Sequence, residues 1–320
     1  MTRTDTGLAN VTVIGAGLIG RSWAVVFAAA GRKVRLQDAD AAKLDEAMAW
    51  FDRSLPDLAT AGLVSSVEET RAQITAAPAL ETALEGTDWV QECTLEVLDV
   101  KRAVFARLDE LSPEAAILAS SSSGLSPSTF AAECVGRHRC LVAHPVNPPH
   151  LVPLVEIVGA PWTDPQVIER SMAFMGELGQ APIHVRREVP GFVLNRLQGA
   201  LLDEAFRLVE GGYASPDDVD RCMVDGLAPR WSFIGPFETI DLNAGGGLAE
   251  YAERYGPMYF EMNNDRTPIR PWDPETVRQI AEARRSSLPE ESLGERQAWR
   301  DRELMQVAAR RKRQLAGERA

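Results

Sequence analysis

The chain has 320 residues, 45% hydrophobic and 25% charged, a globular composition long enough for two domains and a sizeable core. Its 46 acidic and 34 basic residues leave a net charge of −12, which argues against partners attracted by bulk positive charge, namely non-specific nucleic acid or an anionic membrane. No stretch reaches the ~18 apolar residues of a membrane helix, and residues 1–10 are polar with no hydrophobic signal core. Cys93, Cys134, Cys140 and Cys222 show no C-x-x-C spacing, so they read as reduced cytosolic thiols, with no disulfide frame and no metal site expected.

Val11-Thr12-Val13-Ile14 is a β-branched run, a short buried strand. Gly15-Ala16-Gly17-Leu18-Ile19-Gly20 follows, then an apolar helix from Trp23 to Ala30 that Gly31 ends. Lys33 to Gln37 is a second strand leading into Asp38. A lone G-x-G-x-x-G is weak evidence. One that follows a strand, opens a helix and is answered by an acid at the end of the next strand is a dinucleotide fingerprint. Gly15 permits the tight turn, Gly17 lets the backbone approach a pyrophosphate, and Gly20 lets helix and strand pack closely. The helix start offers free N–H groups to phosphate. Asp38 would accept from the ribose hydroxyls and repel a 2′-phosphate, so the expected cofactor is NAD; Arg32, Lys33 and Arg35 nearby soften that preference.

Further along, Ala41 to about Leu55 reads as a helix interrupted by Pro56, and residues 61–72 as a polar helical excursion. Asp88 to Cys93 is a strand. Val97 to Leu111 is a helix with apolar positions at Val100, Val104, Leu108 and Leu111. Ala116 to Ser120 is a strand that runs into the hydroxyl-rich loop Ser121-Ser122-Ser123-Gly124, at the sheet edge where ligands of such folds bind. Leu141-Val142-Ala143 ends another short strand. His144 then begins a loop stiffened by Pro145, Pro148 and Pro149. Glu156 lies within a second apolar run, Leu154 to Val158, where a lone carboxylate needs a partner. His144 is the natural one, and a carboxylate behind an imidazole makes a general acid/base. After a helix from Asp164-Pro165 and an edge strand Ala181 to Val185, Glu188-Val189-Pro190-Gly191 reads as a hinge. Beyond it the pattern is helical throughout: Phe192 to Glu210, Ser215 to Met223, and Gly235 onward with Gly245-Gly246-Gly247 as a break. The basic run Arg310-Arg311-Lys312-Arg313 reads as a solvated face or frayed tail. The expected fold is α/β: a Rossmann-like doubly wound sheet domain over 1–188 that binds NAD, followed by an all-helical domain over 189–320 for substrate binding and dimerisation.

The fingerprint, Ser123, His144 with Glu156, and Pro190-Gly191-Phe192-Val193-Leu194-Asn195-Arg196-Leu197 together resemble the 3-hydroxyacyl-CoA dehydrogenase superfamily, and within it the lambda-crystallin branch, whose enzymatic members are L-gulonate 3-dehydrogenases. Further stretches similar to that branch are Gly20 to Ala24, Ala143 to Pro149, Phe233 to Pro236 and Gln297 to Asp301. The resemblance implies catalytic roles for Ser123, His144, Glu156 and Asn195, and cofactor contacts from Asp38, Glu96 and Lys101. The residues read alone agree on the chemistry: His144 takes a proton from a secondary alcohol, Glu156 stabilises the imidazolium, Ser123 bonds the reacting oxygen, and Asn195 faces the cleft. Hydroxyacyl-CoA enzymes typically carry an Asn-Thr-Ser type loop where this chain has Ser121-Ser122-Ser123, which puts the acyl-CoA substrate in doubt more than the reaction.

The expected substrate is a small polar 3-hydroxy acid, L-gulonate first, with a 3-hydroxyacyl-CoA or L-carnitine as alternatives and a non-catalytic crystallin-like role as a different class. A CoA ester profits from a basic groove, and Ala59 to Thr70 carries no Lys or Arg. A free acid needs one cation, for which Arg230 is the first candidate and Arg196 the second. Carnitine would need an aromatic cage; Trp231, Phe233 and Trp272 are available, though each reads more readily as core. The apolar helical domain and the resemblance both suggest a homodimer.

Overall fold

The computed structural model describes residues 6–264 and 270–317. It contains an eight-stranded sheet of β1 (Asn10–Ile14), β2 (Lys33–Gln37), β3 (Ile74–Ala76), β4 (Trp89–Glu92), β5 (Ile117–Ser120), β6 (Cys140–Pro145), β7 (Leu154–Gly159) and β8 (Ala181–Val185). The strand order is β3-β2-β1-β4-β5-β6-β7-β8. Every pairing is parallel except β6 with β7, which is antiparallel. The chain leaves β1 toward β2 on one side and returns to β4 on the other, so the crevice of a doubly wound sheet opens at the carboxyl ends of β1 and β4.

Helices α1 (Leu18–Ala29), α2 (Ala41–Thr60), α3 (Val67–Ala72), α4 (Leu80–Leu84), α5 (Leu98–Leu111), α6 (Pro127–Phe130) and α7 (Pro165–Glu177) surround the sheet. They cover both of its faces, which is why its central strands are apolar without alternation. One core packs Trp23 and Phe27 of α1 and Phe51 and Leu55 of α2 with Phe174 of α7. The Trp23 and Phe27 rings stack at 5.3 Å, and Phe27 and Phe174 at 5.9 Å. The other core gathers Phe105 and Leu108 of α5 with Phe130.

The structure departs from the sequence reading at four places. Helix α2 runs through Pro56 to Thr60. Proline removes one N–H and crowds the preceding turn, but Leu55 and Leu58 are both buried and hold the helix on its course. Strand β3 was not anticipated; three residues are too few to carry a period. The buried stripe of α5 is Lys101, Phe105 and Leu108, one position away from the expected Val100 and Val104, which are only half-buried.

The fourth concerns the domain boundary. The compact units are Met1–Arg196 with Arg296–Ala320, and Leu197–Glu295. The division thus falls at 196 rather than 188, and the charged C-terminal stretch belongs with the sheet. Helix α8 (Leu194–Glu210) starts in the first unit. The last helix, α14, spans Leu293–Gly317 (α9 to α13 are placed below). Ala309 of α14 is buried, Leu304 and Met305 pack on the first core, and Lys312 Nζ donates to the Gly62 carbonyl at 2.8 Å. The basic run is therefore an exposed face of a docked helix, not a frayed tail.

The second unit is helical: the rest of α8, then α9 (Pro216–Arg221), α10 (Ala228–Trp231), α11 (Pro236–Asp241), α12 (Gly247–Asn264) and α13 (Pro274–Ser287). The triple glycine separates α11 from α12, with Gly247 at φ +73. Among the described residues of 197–295, no apolar side chain is buried; only Thr239 and Thr276 are. No helix among the described residues is long and apolar enough to cross a membrane.

Candidate active site

The glycine turn between β1 and α1 has the shape its sequence demands. Gly15 sits at φ +97, and a Cβ there would come within 2.8 Å of the Cys93 carbonyl oxygen. A Cβ on Gly20 would overlap the Gly15 carbonyl oxygen. Gly17 has no atom within 4 Å of its Cβ position, so the backbone there is open to a ligand, as a pyrophosphate requires. Ala16 donates its N–H to Asp38 Oδ2 at 2.9 Å, and Asp40 donates to Asp38 Oδ1 at 3.0 Å. Asp38 therefore ties the end of β2 to the glycine turn, with lone pairs left to accept from a ribose. Leu18 and Ile19 form the first turn of α1 beside it. These residues fit a dinucleotide.

The antiparallel register of β6 and β7 sets His144 opposite Glu156, and Nδ1 of His144 lies 2.8 Å from Glu156 Oε2. His144 stands one residue before the end of β6 rather than in the loop. Oε1 of Glu156 accepts the Val193 and Leu194 N–H groups at 2.8 and 3.0 Å. Those amides reach it because Gly191 and Phe192 both take positive φ, +75 and +50. Phe192 pays the strain of a non-glycine residue there. Its buried ring lies 5.6 Å from the His144 ring and holds it in place. Burial works against charge on Glu156, but the His144 hydrogen bond and the two amides outweigh it and lower the carboxyl pKa. An ionised carboxylate that accepts at Nδ1 fixes the tautomer, which leaves Nε2 with the lone pair.

Four consecutive serines have four different fates. Ser120 Oγ donates to Glu92 Oε2 at 2.6 Å. Ser121 Oγ accepts from Trp23 Nε1 at 3.2 Å and Gln91 Nε2 at 2.8 Å. Ser122 Oγ donates to Glu96 Oε1 at 2.5 Å. Ser123 is exposed, and its hydroxyl has no partner among the described residues. Its backbone is clamped: its N–H donates to Glu96 Oε1 at 3.0 Å, and its carbonyl accepts from Asn195 Nδ2 at 2.8 Å. The loop is rigid, with one free hydroxyl.

Residues 10–189 match the 3-hydroxyacyl-CoA dehydrogenase NAD-binding domain, and residues 191–286 the C-terminal domain of the same family. The chain belongs to the 3-hydroxyacyl-CoA dehydrogenase family. It is an oxidoreductase of that family with an NAD-binding domain, and lies in the lambda-crystallin branch. It is 43% identical to the lambda-crystallin homolog of Bos taurus over 304 residues, covering 93% of this chain and 94% of the relative. It is 33% identical to an L-carnitine dehydrogenase of Pseudomonas sp over 308 residues, covering 94% of each. A crystal structure of 5-formyl-3-hydroxy-2-methylpyridine 4-carboxylic acid 5-dehydrogenase, an NAD+-dependent dismutase, matches with a TM-score of 0.80 at 27% identity, covering 95% of this chain and 98% of that one.

The remaining expected residues are less uniform. Glu96, expected at the cofactor, braces the serine loop. Burial raises its carboxyl pKa, but the Ser122 bond, Lys101 and the loop amides outweigh that and leave it lowered. Lys101 is 1% exposed, so its ammonium is not free to meet a ligand; it is buried against Glu92 at 2.9 Å and lies 3.6 Å from Glu96. Arg196 is exposed, next to Asn195, and unpaired among the described residues. Arg230 is exposed in the helical unit. Trp231, Phe233 and Trp272 are not core but exposed. Trp272 stacks on Phe206 at 4.2 Å and donates to Asp203 at 2.8 Å. Sequence reading missed Glu92, Gln91 and Phe192. Polar Gln91 and Glu92, directly after Trp89 and Val90 in one short strand, were the available signal.

Proposed function

We propose that this protein is an NAD-dependent dehydrogenase that oxidises the 3-hydroxyl of a small polar hydroxy acid, L-gulonate to 3-dehydro-L-gulonate being the first choice. The observation that carries the reading is the His144–Glu156 pair at 2.8 Å, with the carboxylate saturated from behind by two amides. His144 Nε2 accepts the hydroxyl proton, and Glu156 stabilises the imidazolium that results. The Ser123 hydroxyl donates to the reacting oxygen, and Asn195 holds Ser123 by its carbonyl. Bound NAD supplies the acceptor for the hydride that leaves the same carbon. Gly15 to Gly20 seat its pyrophosphate, Asp38 its ribose, and Glu96 stands at the loop beside it, with Lys101 acting through Glu96.

A free acid is favoured over an acyl-CoA by the stretch Ala59 to Thr70, which has no Lys or Arg of its own and carries Glu68 and Glu69, and by the similar NAD+-dependent enzyme named for a small pyridine carboxylic acid. Arg230 is the first candidate cation for the substrate carboxylate, and Arg196, which follows Asn195 directly in sequence, is the second. L-Carnitine is the second reading, supported by the 33% identical relative and by the exposed rings of Trp231 and Phe233. The test is a screen of NAD reduction across L-gulonate, L-carnitine, 3-hydroxybutyrate and 3-hydroxybutyryl-CoA. Turnover of the CoA ester alone overturns the substrate, and no turnover at all returns the chain to a crystallin-like structural role.

A helical unit in which no apolar side chain is buried among the described residues needs a partner. Phe233, Phe237, Leu242 and Phe260 are each at least 67% exposed. We assign that surface to a homodimer, which sedimentation would show. The four cysteines are unpaired, in keeping with a cytoplasmic enzyme.

A further inference from the structure

Glu92 and Lys101 form an ion pair at the carboxyl end of β4 with no access to water: the side chains are 0% and 1% exposed. Both oxygens of Glu92 lie 2.9 Å from Lys101 Nζ. Oε1 also accepts from the Thr94 N–H at 2.6 Å and the Thr94 hydroxyl at 2.5 Å, and Oε2 accepts from Ser120 Oγ at 2.6 Å. Lys101 Nζ donates further to the Thr94 carbonyl at 3.2 Å and lies 3.6 Å from Glu96 Oε2. Glu96 Oε1 in turn accepts from Ser122 Oγ and from the N–H groups of Ser123 and Gly124.

A buried ion pair is a poor way to stabilise a fold, because apolar residues of similar volume do as well or better. This pair has another effect. One ammonium stands between two carboxylates. The inner one, Glu92, saturates it and fixes it to β4 and β5. The outer one, Glu96, is half-exposed, and the same charge, 3.6 Å from its Oε2, helps to hold it in place. Held there, Glu96 Oε1 accepts three donors from residues 122–124, whereas a displaced carboxylate cannot. The rigidity of the loop that presents Ser123 therefore traces back to Glu92.

We propose that Glu92 and Lys101 are positioning residues of the reaction. Through Glu96 they set the backbone of Ser122 to Gly124, and with it the place of the Ser123 hydroxyl. The inference rests on the dehydrogenase reading for its consequence in turnover, but not for its structural content. Single substitutions would strand a buried charge and risk unfolding, so the test uses the paired variant Glu92→Leu with Lys101→Met, in the wild-type and Ser123→Ala backgrounds.

Two readouts are taken. The first is amide hydrogen exchange of residues 121–125 in the cofactor-free protein. It should quicken about tenfold or more while strands β1 and β6 keep their protection. The second is kcat, which should fall about 10- to 100-fold in the wild-type background with little change in KM. In the Ser123→Ala background the same pair should cost less than about twofold, because the loop then has no hydroxyl to place. Unchanged exchange in a folded paired variant, or equal losses in both backgrounds, overturns the proposal. A wild-type protein without turnover on any hydroxy acid would instead sink the dehydrogenase reading, and the exchange data alone would then decide the positioning role.

Discussion

Glu156→Gln is the most discriminating single change, because the site asks three things of one side chain. The carboxylate accepts from His144 Nδ1 on one oxygen and from the Val193 and Leu194 amides on the other. Glutamine has one accepting oxygen and one donating NH2. Its oxygen must face the two amides, so its NH2 faces Nδ1. His144 then has to accept at Nδ1 and carry its proton on Nε2, the wrong tautomer for a base. All three hydrogen bonds are remade, so the folding cost stays below roughly 2 kcal/mol. The rate does not survive: kcat should fall about 10²- to 10⁴-fold, with the NAD Kd unchanged. The pH behaviour adds an independent check. A carboxylate whose folded pKa lies below its ordinary 4.5 stabilises the fold above that value and loses the contribution as pH falls through the lowered pKa. The glutamine variant should lack that acid limb in denaturation midpoints taken between pH 5 and pH 3. A variant with native melting temperature and kcat within threefold of wild type would refute the assignment of His144 and Glu156.

Four further outcomes are expected. His144→Asn should keep its fold and NAD affinity while kcat drops by about 10²- to 10⁴-fold in stopped-flow or steady-state assays; near-normal turnover would move the base elsewhere. Asp38→Ala should narrow the preference for NAD over NADP in kcat/KM, and use of both cofactors by the native protein would remove Asp38 from the ribose. Arg196→Ala and Arg230→Ala, compared side by side, should show a KM for the free acid raised about tenfold in one of them with the NAD Kd intact; no change in either rejects both. Burial, against the pull of Asp301 and with a push from Arg21, takes the His150 imidazole down to about 4 from its ordinary 6.5. The unfolded chain then gains a proton before the folded one, and stability should fall by about 3 kcal/mol between pH 6.5 and pH 4, a slope that His150→Phe abolishes.

Much of the fold was written locally. The strand before Gly15, the helix after it and the acid at Asp38 each obey a short-range rule, and the sheet order follows once β1 is central. Pro190-Gly191 was legible as a hinge because proline and glycine punctuate backbone directly. The positive φ of Phe192 was not, since no side-chain preference announces a strain that is compensated by burial against His144. The docking of α14 was equally hidden: Leu304, Met305 and Ala309 are sparse among charges, and only the surface they meet makes them a contact.

The candidate site was legible where a residue does chemistry and opaque where a residue holds another. His144, Glu156, Ser123 and Asn195 were named from spacing and resemblance; the structure sets His144 against Glu156, and it sets Asn195 and Glu96 on the backbone of Ser123. Glu92 is not legible from its own segment, because Asp88 to Cys93 carries a strand pattern and nothing more. Asp38, Glu156 and Glu92 nevertheless share one physical situation. An acid at or near the carboxyl edge of a parallel sheet lies where backbone N–H groups and basic side chains converge, and each of these three takes a different positive partner. Asp38 takes the Ala16 amide, Glu156 the His144 ring and two amides, and Glu92 the Lys101 ammonium. Lys101 could then have been found from its own helix, as the one charge on the stripe it shares with Phe105 and Leu108. A charge at a core phase needs an opposite charge within reach, and Glu92 ends the strand that leads into that helix.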